Sequence, residues 1–329
     1  MKSFTIDKND AGQRLDKFIA KVCPVLPTSL LYKYIRTKHI KINRKRAEIS
    51  IRLCEGDVVD MYINDEFFVQ KKPKYDFLNA STKLNIVYED ENIILADKPQ
   101  GLLSHPDENE YNDTLIGRIQ HYLYDKGEYN PAAEHSFKPS LANRIDRNTG
   151  GIVIAAKNAE ALRILCQKIK DREIDKRYLA VIHGRPREKT ATLEGYLEKN
   201  EKKNKVYLSN KKNDANRTVK TRYRVLASKN GLSLIEVELL TGRTHQIRAH
   251  MASIGHPLLG DGKYGTLAAD KKLGFNKQAL YSYKLSFYFS TDGGILEYLN
   301  GKTFSVDDVW FARELFGESY TVGKSSKNR

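Results

Sequence analysis

A chain of 329 residues exceeds what one hydrophobic core comfortably covers, so two domains are the first expectation. A formal charge of +15 and a pI of about 9.4 point to a polyanionic partner, because neutralised phosphates release counterions and drive association, with a membrane surface as the competing partner. No stretch approaches the ~20 apolar residues of a spanning helix, and Met1 to Asp7 lacks the apolar core of a signal peptide. Cys23, Cys54 and Cys166 have no CxxC spacing and support neither a disulfide framework nor a cysteine zinc site. The expectation is a soluble, cytoplasmic monomer without membrane contact.

Leu15, Phe18, Ile19 and Val22 recur at the spacing of an amphipathic helix. A second helix is predicted from Thr28 or Ser29, polar residues able to cap it after Pro27, carrying Leu30, Leu31, Tyr34 and Ile35. Basic residues then alternate with apolar anchors from Arg36 to Arg46. A free basic tail would lack Ile40 and Ile42, so Lys38, Lys41, Arg44, Lys45 and Arg46 are predicted to be displayed on a small folded unit, where they can meet phosphates. A solvated charged face is the alternative. Residues 64–82 show little periodicity and read as a linker between a domain at 1–63 and a second at 83–317. Two short strands separated by an acidic turn are predicted between Leu84 and Lys98, ended by Lys98-Pro99-Gln100-Gly101. His105, alone on a loop, reads as structural.

The chain is organised around Leu141 to Lys157. Ile152 to Ala156 has no polar alternation and reads as a strand buried on both faces, which puts Asp146 on the loop entering it. Gly150 and Gly151 allow positive φ and close backbone approach. Arg144 and Arg147 favour the ionised form of Asp146 and can reach phosphate. That combination suits a carboxylate nucleophile working on an anionic polymer. An aspartate that merely orders a turn is the competing reading.

Beyond it, Asn158 is predicted to cap a helix with Leu162, Leu165, Cys166 and Ile169 on one apolar face. Tyr178 opens an apolar strand closed by Gly184 and reads as a packing residue whose hydroxyl reaches the surface. The Lys- and Asn-rich segment from Glu198 to Asn216, around Val206-Tyr207-Leu208, reads as an exposed excursion, either a solvated loop or an RNA contact. Leu239 to Asp261 predicts strand, turn and helix, with Ile247, Met251 and Ile254 as the buried stripe and Arg243 left on the turn. His245, His250, His256 and Asp261 suggest a metal group, but His245 and His250 would lie about 140° apart around a helix, so no metal is expected. Ala279 to Phe289 alternates and is rich in aromatics, as a strand would be. Residues 318–329 have the composition of a disordered tail.

Arg144-Ile145-Asp146-Arg147-Asn148-Thr149-Gly150-Gly151 closely resembles the signature of the RluA-type family of RNA pseudouridine synthases, except that the family usually has His where this chain has Asn143. Thr241-Gly242-Arg243-Thr244-His245-Gln246-Ile247-Arg248 matches a second family motif, and Lys176-Arg177-Tyr178-Leu179-Ala180 a third, while Lys98-Pro99-Gln100-Gly101 is similar to a family segment that helps shape the catalytic cleft. The helix-helix-basic-strand order ending at Glu55-Gly56-Asp57 resembles the S-four-type RNA-binding domain. The resemblance implies an α+β chain: a small α/β RNA-binding domain, then a synthase domain with a mixed, mostly antiparallel sheet and a central cleft. It also implies catalysis by Asp146 without cofactor or metal, Tyr178 against the target base, Arg243 paired with Asp146, and Arg144 filling the space of a flipped base. The implied substrate is structured RNA, ribosomal RNA ahead of transfer RNA. A non-catalytic RNA-binding factor on the same fold is the alternative.

Overall fold

The computed structural model describes all residues except 69–74, 109, 201–204, 210, 214, 215, 266 and 318–329, so the predicted tail lies outside the described residues. The chain begins with β1 (Lys2–Thr5), α1 (Leu15–Val22), α2 (Thr28–Arg36), β2 (Ile40–Ile42), β3 (Lys45–Arg46) and β4 (Val58–Met61). These strands form an antiparallel sheet in the order β1-β4-β2-β3. Leu15, Phe18 and Ile19 on α1, Leu31 and Ile35 on α2, and Ile40 and Ile42 on β2 close one core with Phe68. The apolar anchors of the basic stretch are therefore buried, while Lys38, Arg44, Lys45 and Arg46 are exposed and Lys41 rests over the Tyr62 ring. Thr28 is the first helical residue of α2 and Pro27 stands at its cap position, with no side-chain cap bond. Proline suits that entry, where no amide donor is needed.

The larger part of the chain carries β5 (Ile86–Glu89), β6 (Ile93–Lys98), α3 (Leu115–Asp125), β7 (Ser140–Leu141), β8 (Gly150–Ala156), α4 (Ala159–Lys170), β9 (Ile174–His183), β10 (Thr190–Asn200) and β11 (Lys205–Ser209). There follow β12 (Arg217–Lys229), β13 (Leu232–Leu239), α5 (Gln246–Ser253), α6 (Leu267–Lys272), β14 (Leu280–Phe287), β15 (Thr303–Ser305) and α7 (Trp310–Phe316). Eleven strands join in one sheet, β11-β10-β12-β13-β9-β14-β8-β6-β5, with β15 beside β14 and β7 beside β8. The β8–β14 pair is parallel and the others are antiparallel. The fold is thus α+β with a mixed, mostly antiparallel sheet.

β8 is buried at all seven positions, as its unbroken apolar run requires. Ile152 and Ile154 face the core shared with α4, while Val153 and Ala155 face that shared with α3. Burying each of these Ile and Val side chains contributes about 1.5–3 kcal/mol. Asn158 caps α4 by accepting from the Ala161 amide at 2.8 Å. Two stripe residues depart from expectation: Cys166 on α4 and Ile254 after α5 are exposed. Cys166 lies at the margin of an apolar stripe about 100° wide, whereas Ile254 is the cap residue after α5 ends at Ser253, where the helical spacing no longer sets its direction. Val206 on β11 is buried with Leu197, Val219 and Ala249, so the Lys/Asn-rich excursion holds a docked strand.

One row across the sheet positions the site. Lys98 on β6 is opposite Gly151 on β8, Gly151 is opposite Ser282 on β14, and Ser282 is opposite Tyr178 on β9. Directly opposed residues share a sheet face. Lys98 and Tyr178 are thereby brought to the N-terminal end of β8, where the Asp146 turn enters. Gly151 has φ +110°, and a Cβ there would sit 2.2 Å from the Ser282 carbonyl oxygen. The parallel approach of β14 to β8 tolerates only glycine at this point.

Candidate active site

Asp146 opens a turn closed by the Thr149 amide donating to its carbonyl at 3.0 Å. The turn is clamped from the segment after β6. The Gly101 amide donates to the Arg147 carbonyl at 2.8 Å, the Arg147 Nε donates back to the Gly101 carbonyl at 3.1 Å, and the Ser104 hydroxyl donates to the Ile145 carbonyl at 3.0 Å. Lys98 is wholly buried, and its Nζ donates to the carbonyls of Pro99 (3.0 Å), Leu102 (2.7 Å) and Arg147 (3.0 Å). Burial pulls Lys98 down to about 7 and the nearby Asp146 charge opposes it. The three carbonyls use all three ammonium protons, so the cation is the form that fits. Lys98-Pro99-Gln100-Gly101 is more than a strand terminator: it holds the aspartate turn.

Arg248 faces Asp146 across the site, with Nη1 3.5 Å from Oδ2. It is itself fixed by Asp261, a wholly buried carboxylate that accepts from Nε at 2.7 Å and Nη2 at 2.8 Å, and it lies over the Tyr264 ring. Burial alone would lower Arg248, but the Asp261 bonds outweigh it and hold the guanidinium charged. His245 completes the wall, its Nε2 3.8 Å from Asp146 Oδ2 and its Nδ1 3.1 Å from the Tyr264 hydroxyl. That hydroxyl also accepts from the Val206 amide at 2.9 Å. Burial pushes His245 down to about 4, against the pull of the Asp146 charge, so it is neutral near pH 7. Tyr178 is buried, and burial together with the Asp146 charge pushes its phenol up to about 12. Its hydroxyl does not reach solvent as a packing tyrosine at a strand start would.

The predicted residues thus divide. Asp146 and Tyr178 come together. Arg144 and Arg147 flank the turn and are exposed. Arg243 does not pair with Asp146: it is exposed on the turn before α5, and among the described residues its side chain makes no ion pair. Arg248 occupies the place expected of it, because His245 adopts the left-handed conformation (φ +54°) and starts α5 at Gln246, turning position 248 inward. Asn143 accepts from the Ile154 amide at 2.9 Å and ties the loop to β8. The supposed metal group is dispersed: His250 bonds Thr221, His256 faces the His183 carbonyl and Asp261 is committed to Arg248. Sequence reasoning missed His245, Asp261 and Tyr264 as site residues, although His245 stands in the Thr241 to Arg248 motif, and it connected the Lys98-Pro99-Gln100-Gly101 segment with the cleft without giving Lys98 a role of its own. Cavities of about 520 and 290 Å³ lie elsewhere, beside Glu89 and Lys157 and beside Arg177 and Glu236, and neither is lined by Asp146. Asp146 is instead partly open, its side chain 27% exposed.

Among solved structures, human RNA Pseudouridylate Synthase Domain Containing 1 resembles this chain with a TM-score of 0.54, covering 69% of this chain and 85% of that one at 20% identity. The fold is that of the pseudouridylate synthases. The RNA pseudouridylate synthase family model matches residues 92–253. An uncharacterized RNA pseudouridine synthase of Mycoplasma capricolum is 33% identical over 317 residues, 95% of this chain and 100% of that one. Ribosomal large subunit pseudouridine synthase D of Borreliella burgdorferi is 32% identical, covering 86% of this chain and 84% of that one. Synthase C of Haemophilus ducreyi is 30% identical over 86% and 87%. The chain belongs to the RluA-type family of RNA pseudouridine synthases, RNA-modifying isomerases. Among the described residues, no helix is long and apolar enough to cross a membrane.

Proposed function

We propose that this enzyme isomerises specific uridines of large-subunit ribosomal RNA, with transfer RNA the second choice, and that Asp146 is its nucleophile. The observation that carries the reading is a carboxylate on a turn clamped by the segment after β6, partly open to solvent, with a charged Arg248 and a neutral His245 against one of its oxygens. Relatives named for large-subunit ribosomal RNA support the substrate class. The target nucleotide leaves its stack to reach Asp146. Its glycosidic bond is cleaved, the uracil turns, and a bond forms from the sugar to carbon 5, which releases its proton. Attack on the sugar, attack on the base and abstraction of a sugar proton all require a free carboxylate at 146. Tyr178 lies against the base, and Arg248, rather than Arg243, faces the carboxylate and aims it. No cofactor or metal enters this reaction.

Arg144 fills the space left by the flipped base and Arg147 meets the adjoining backbone. Residues 1–63 form an S-four-type domain whose Lys38, Lys41, Arg44, Lys45 and Arg46 bind phosphates, joined through 64–82 to the catalytic domain at 83–317. The enzyme acts in the cytoplasm as a monomer. Pseudouridine mapping of total RNA from a deletion strain, complemented with wild type or Asp146→Asn, tests the reading. One or a few ribosomal positions should disappear on deletion and return only with wild type. Restoration by Asp146→Asn would remove the nucleophile assignment, and an unaltered map would favour a non-catalytic RNA-binding role.

A further inference from the structure

The loop after β1 meets the loop after α3 at a group of acids that the reaction does not use. Asp10 is wholly buried. Its Oδ1 accepts from the Ser136 hydroxyl at 2.5 Å and from Gln13 Nε2 at 3.4 Å, whereas its Oδ2 is buried and has no partner among the described residues. Glu134 Oε1 accepts from Asn9 Nδ2 at 2.8 Å, and its Oε2 is likewise buried and unpartnered. Asp7 accepts from the Asp10 amide at 2.9 Å, and the exposed His135 sets its ring edge-on to Phe4. One donor atom from each of Asp7, Asp10 and His135 lies within 4.8 Å of the others.

Three carboxylates thus converge, and among the described residues no lysine or arginine makes an ion pair with any of them. An orphaned buried carboxylate oxygen is costly unless a cation or a proton meets it. Donors sharing a tetrahedral ion at about 2.0–2.2 Å stand roughly 3.3–3.6 Å apart, so the present group, within 4.8 Å, closes on an ion once the exposed His135 and Asp7 draw in by about an ångström. Aspartate oxygens with one imidazole nitrogen suit Zn²⁺ or Mn²⁺, whereas Ca²⁺ and Mg²⁺ favour all-oxygen shells.

We propose that Asp7, Asp10 and His135, with Glu134 beside them, bind one divalent transition cation of the Zn²⁺ or Mn²⁺ kind. The ligands come from both parts of the chain, so the ion fastens the N-terminal unit to the synthase sheet alongside the Asn9–Glu134 and Gln13–Ser136 bonds (both 2.8 Å). A ligand that binds only the assembled form stabilises it by mass action.

The test uses the full chain, stripped with EDTA and exchanged into chelator-free buffer, then titrated calorimetrically with ZnCl₂ and separately with MnCl₂, with bound metal counted by mass spectrometry. Wild type should take up one ion per chain of at least one of the two metals, and its melting temperature should rise by several degrees. Asp10→Asn and His135→Gln should each weaken binding by at least about tenfold and cancel that rise. His135 is exposed, so His135→Gln keeps the fold even where Asp10→Asn does not. Absence of saturable one-to-one binding up to about 1 mM of either metal would overturn the proposal. So would equal affinity in wild type and His135→Gln. A metal-free melting temperature that rises in Asp10→Asn, with no metal bound by wild type, would assign the site to a shared proton instead.

Discussion

Asp146 and Asp261 face the same arginine, yet they are held in opposite ways. Asp261 is wholly buried, grips Arg248 through two bonds at 2.7 and 2.8 Å, and accepts the Lys263 and Tyr264 amides at 2.8 and 3.0 Å. Asp146 touches Arg248 by one long contact of 3.5 Å and keeps more than a quarter of its side chain open. A buried carboxylate committed to four donors is a structural part and is not free to attack. The other has spare lone pairs, a cation facing it and an opening to solvent. The difference teaches that the charge on Arg248 is anchored by Asp261 so that it can be lent to Asp146.

The largest expected effect follows directly. Asp146→Asn should lower turnover by about 10⁴-fold or more while changing RNA affinity by less than about threefold, since binding is spread over many cations. Its stability should stay within about 1 kcal/mol of wild type, because the approach of Asp146 to Arg248 is long and partly exposed. Chemical denaturation beside a filter-binding assay checks both parts. Asp261→Asn should do the converse and cost about 3–5 kcal/mol, as breaking one side of a buried pair does.

Arg248→Lys keeps the charge but loses the fork that grips Asp261, so turnover should fall by about 10²-fold with a loss of stability. Arg243→Lys should stay within about threefold by the same kinetic assay. Equal losses in the two variants would dissolve the contrast between a pairing and a solvent-facing arginine. In the N-terminal unit, replacing Arg44, Lys45 and Arg46 together by Gln should leave turnover on saturating RNA intact. The slope of log affinity against log salt should fall by about 0.7 to 0.9 for each phosphate that these cations no longer neutralise. An unchanged slope would mean that this cluster is a solvated face.

Asn143→His should keep turnover within about tenfold, roughly 1.4 kcal/mol of barrier. The reason is that Asn143 serves the loop by accepting from the Ile154 amide and needs no proton of its own. A much larger gain, with a new ionisation near pH 6.5 in the rate profile, would show that the natural chain lacks a catalytic group. The smallest effect concerns acid stability. His245 is held down at about 4 in the fold against an ordinary 6.5, so the unfolded chain binds the extra proton first as pH falls. Stability should therefore drop between pH 6.5 and 4, and His245→Gln should flatten that part of a denaturation-against-pH series.

Much of the candidate site was legible in the sequence. Asp146 stood out because an arginine-flanked aspartate precedes two glycines and an unbroken apolar strand, and each of those features has its own physical cause. The arginine partner was not legible. Arg243 and Arg248 have identical chemistry five positions apart, and the choice rests on the left-handed conformation of His245 and hence on where α5 begins. Lys98 reads as the end of a strand because its three carbonyl partners are assembled by the fold: Pro99 and Leu102 are local, but Arg147 is brought across by the β6–β8 pairing. Asp261 and Tyr264 reach the site through loops far from Asp146 in the chain, and the group at Asp7, Asp10 and His135 likewise exists only once two distant loops meet.

The most direct test of Asp146 as the nucleophile is tritium release from uracil carbon 5 of ribosomal RNA transcripts labelled with 5-tritiated uridine. It is measured under single-turnover conditions with wild type, Asp146→Asn and Arg243→Lys, with RNA binding followed in parallel. Release by wild type and Arg243→Lys, and none above background from an Asp146→Asn protein that still binds the RNA, is the predicted result. Release by Asp146→Asn at a rate near that of wild type would contradict it.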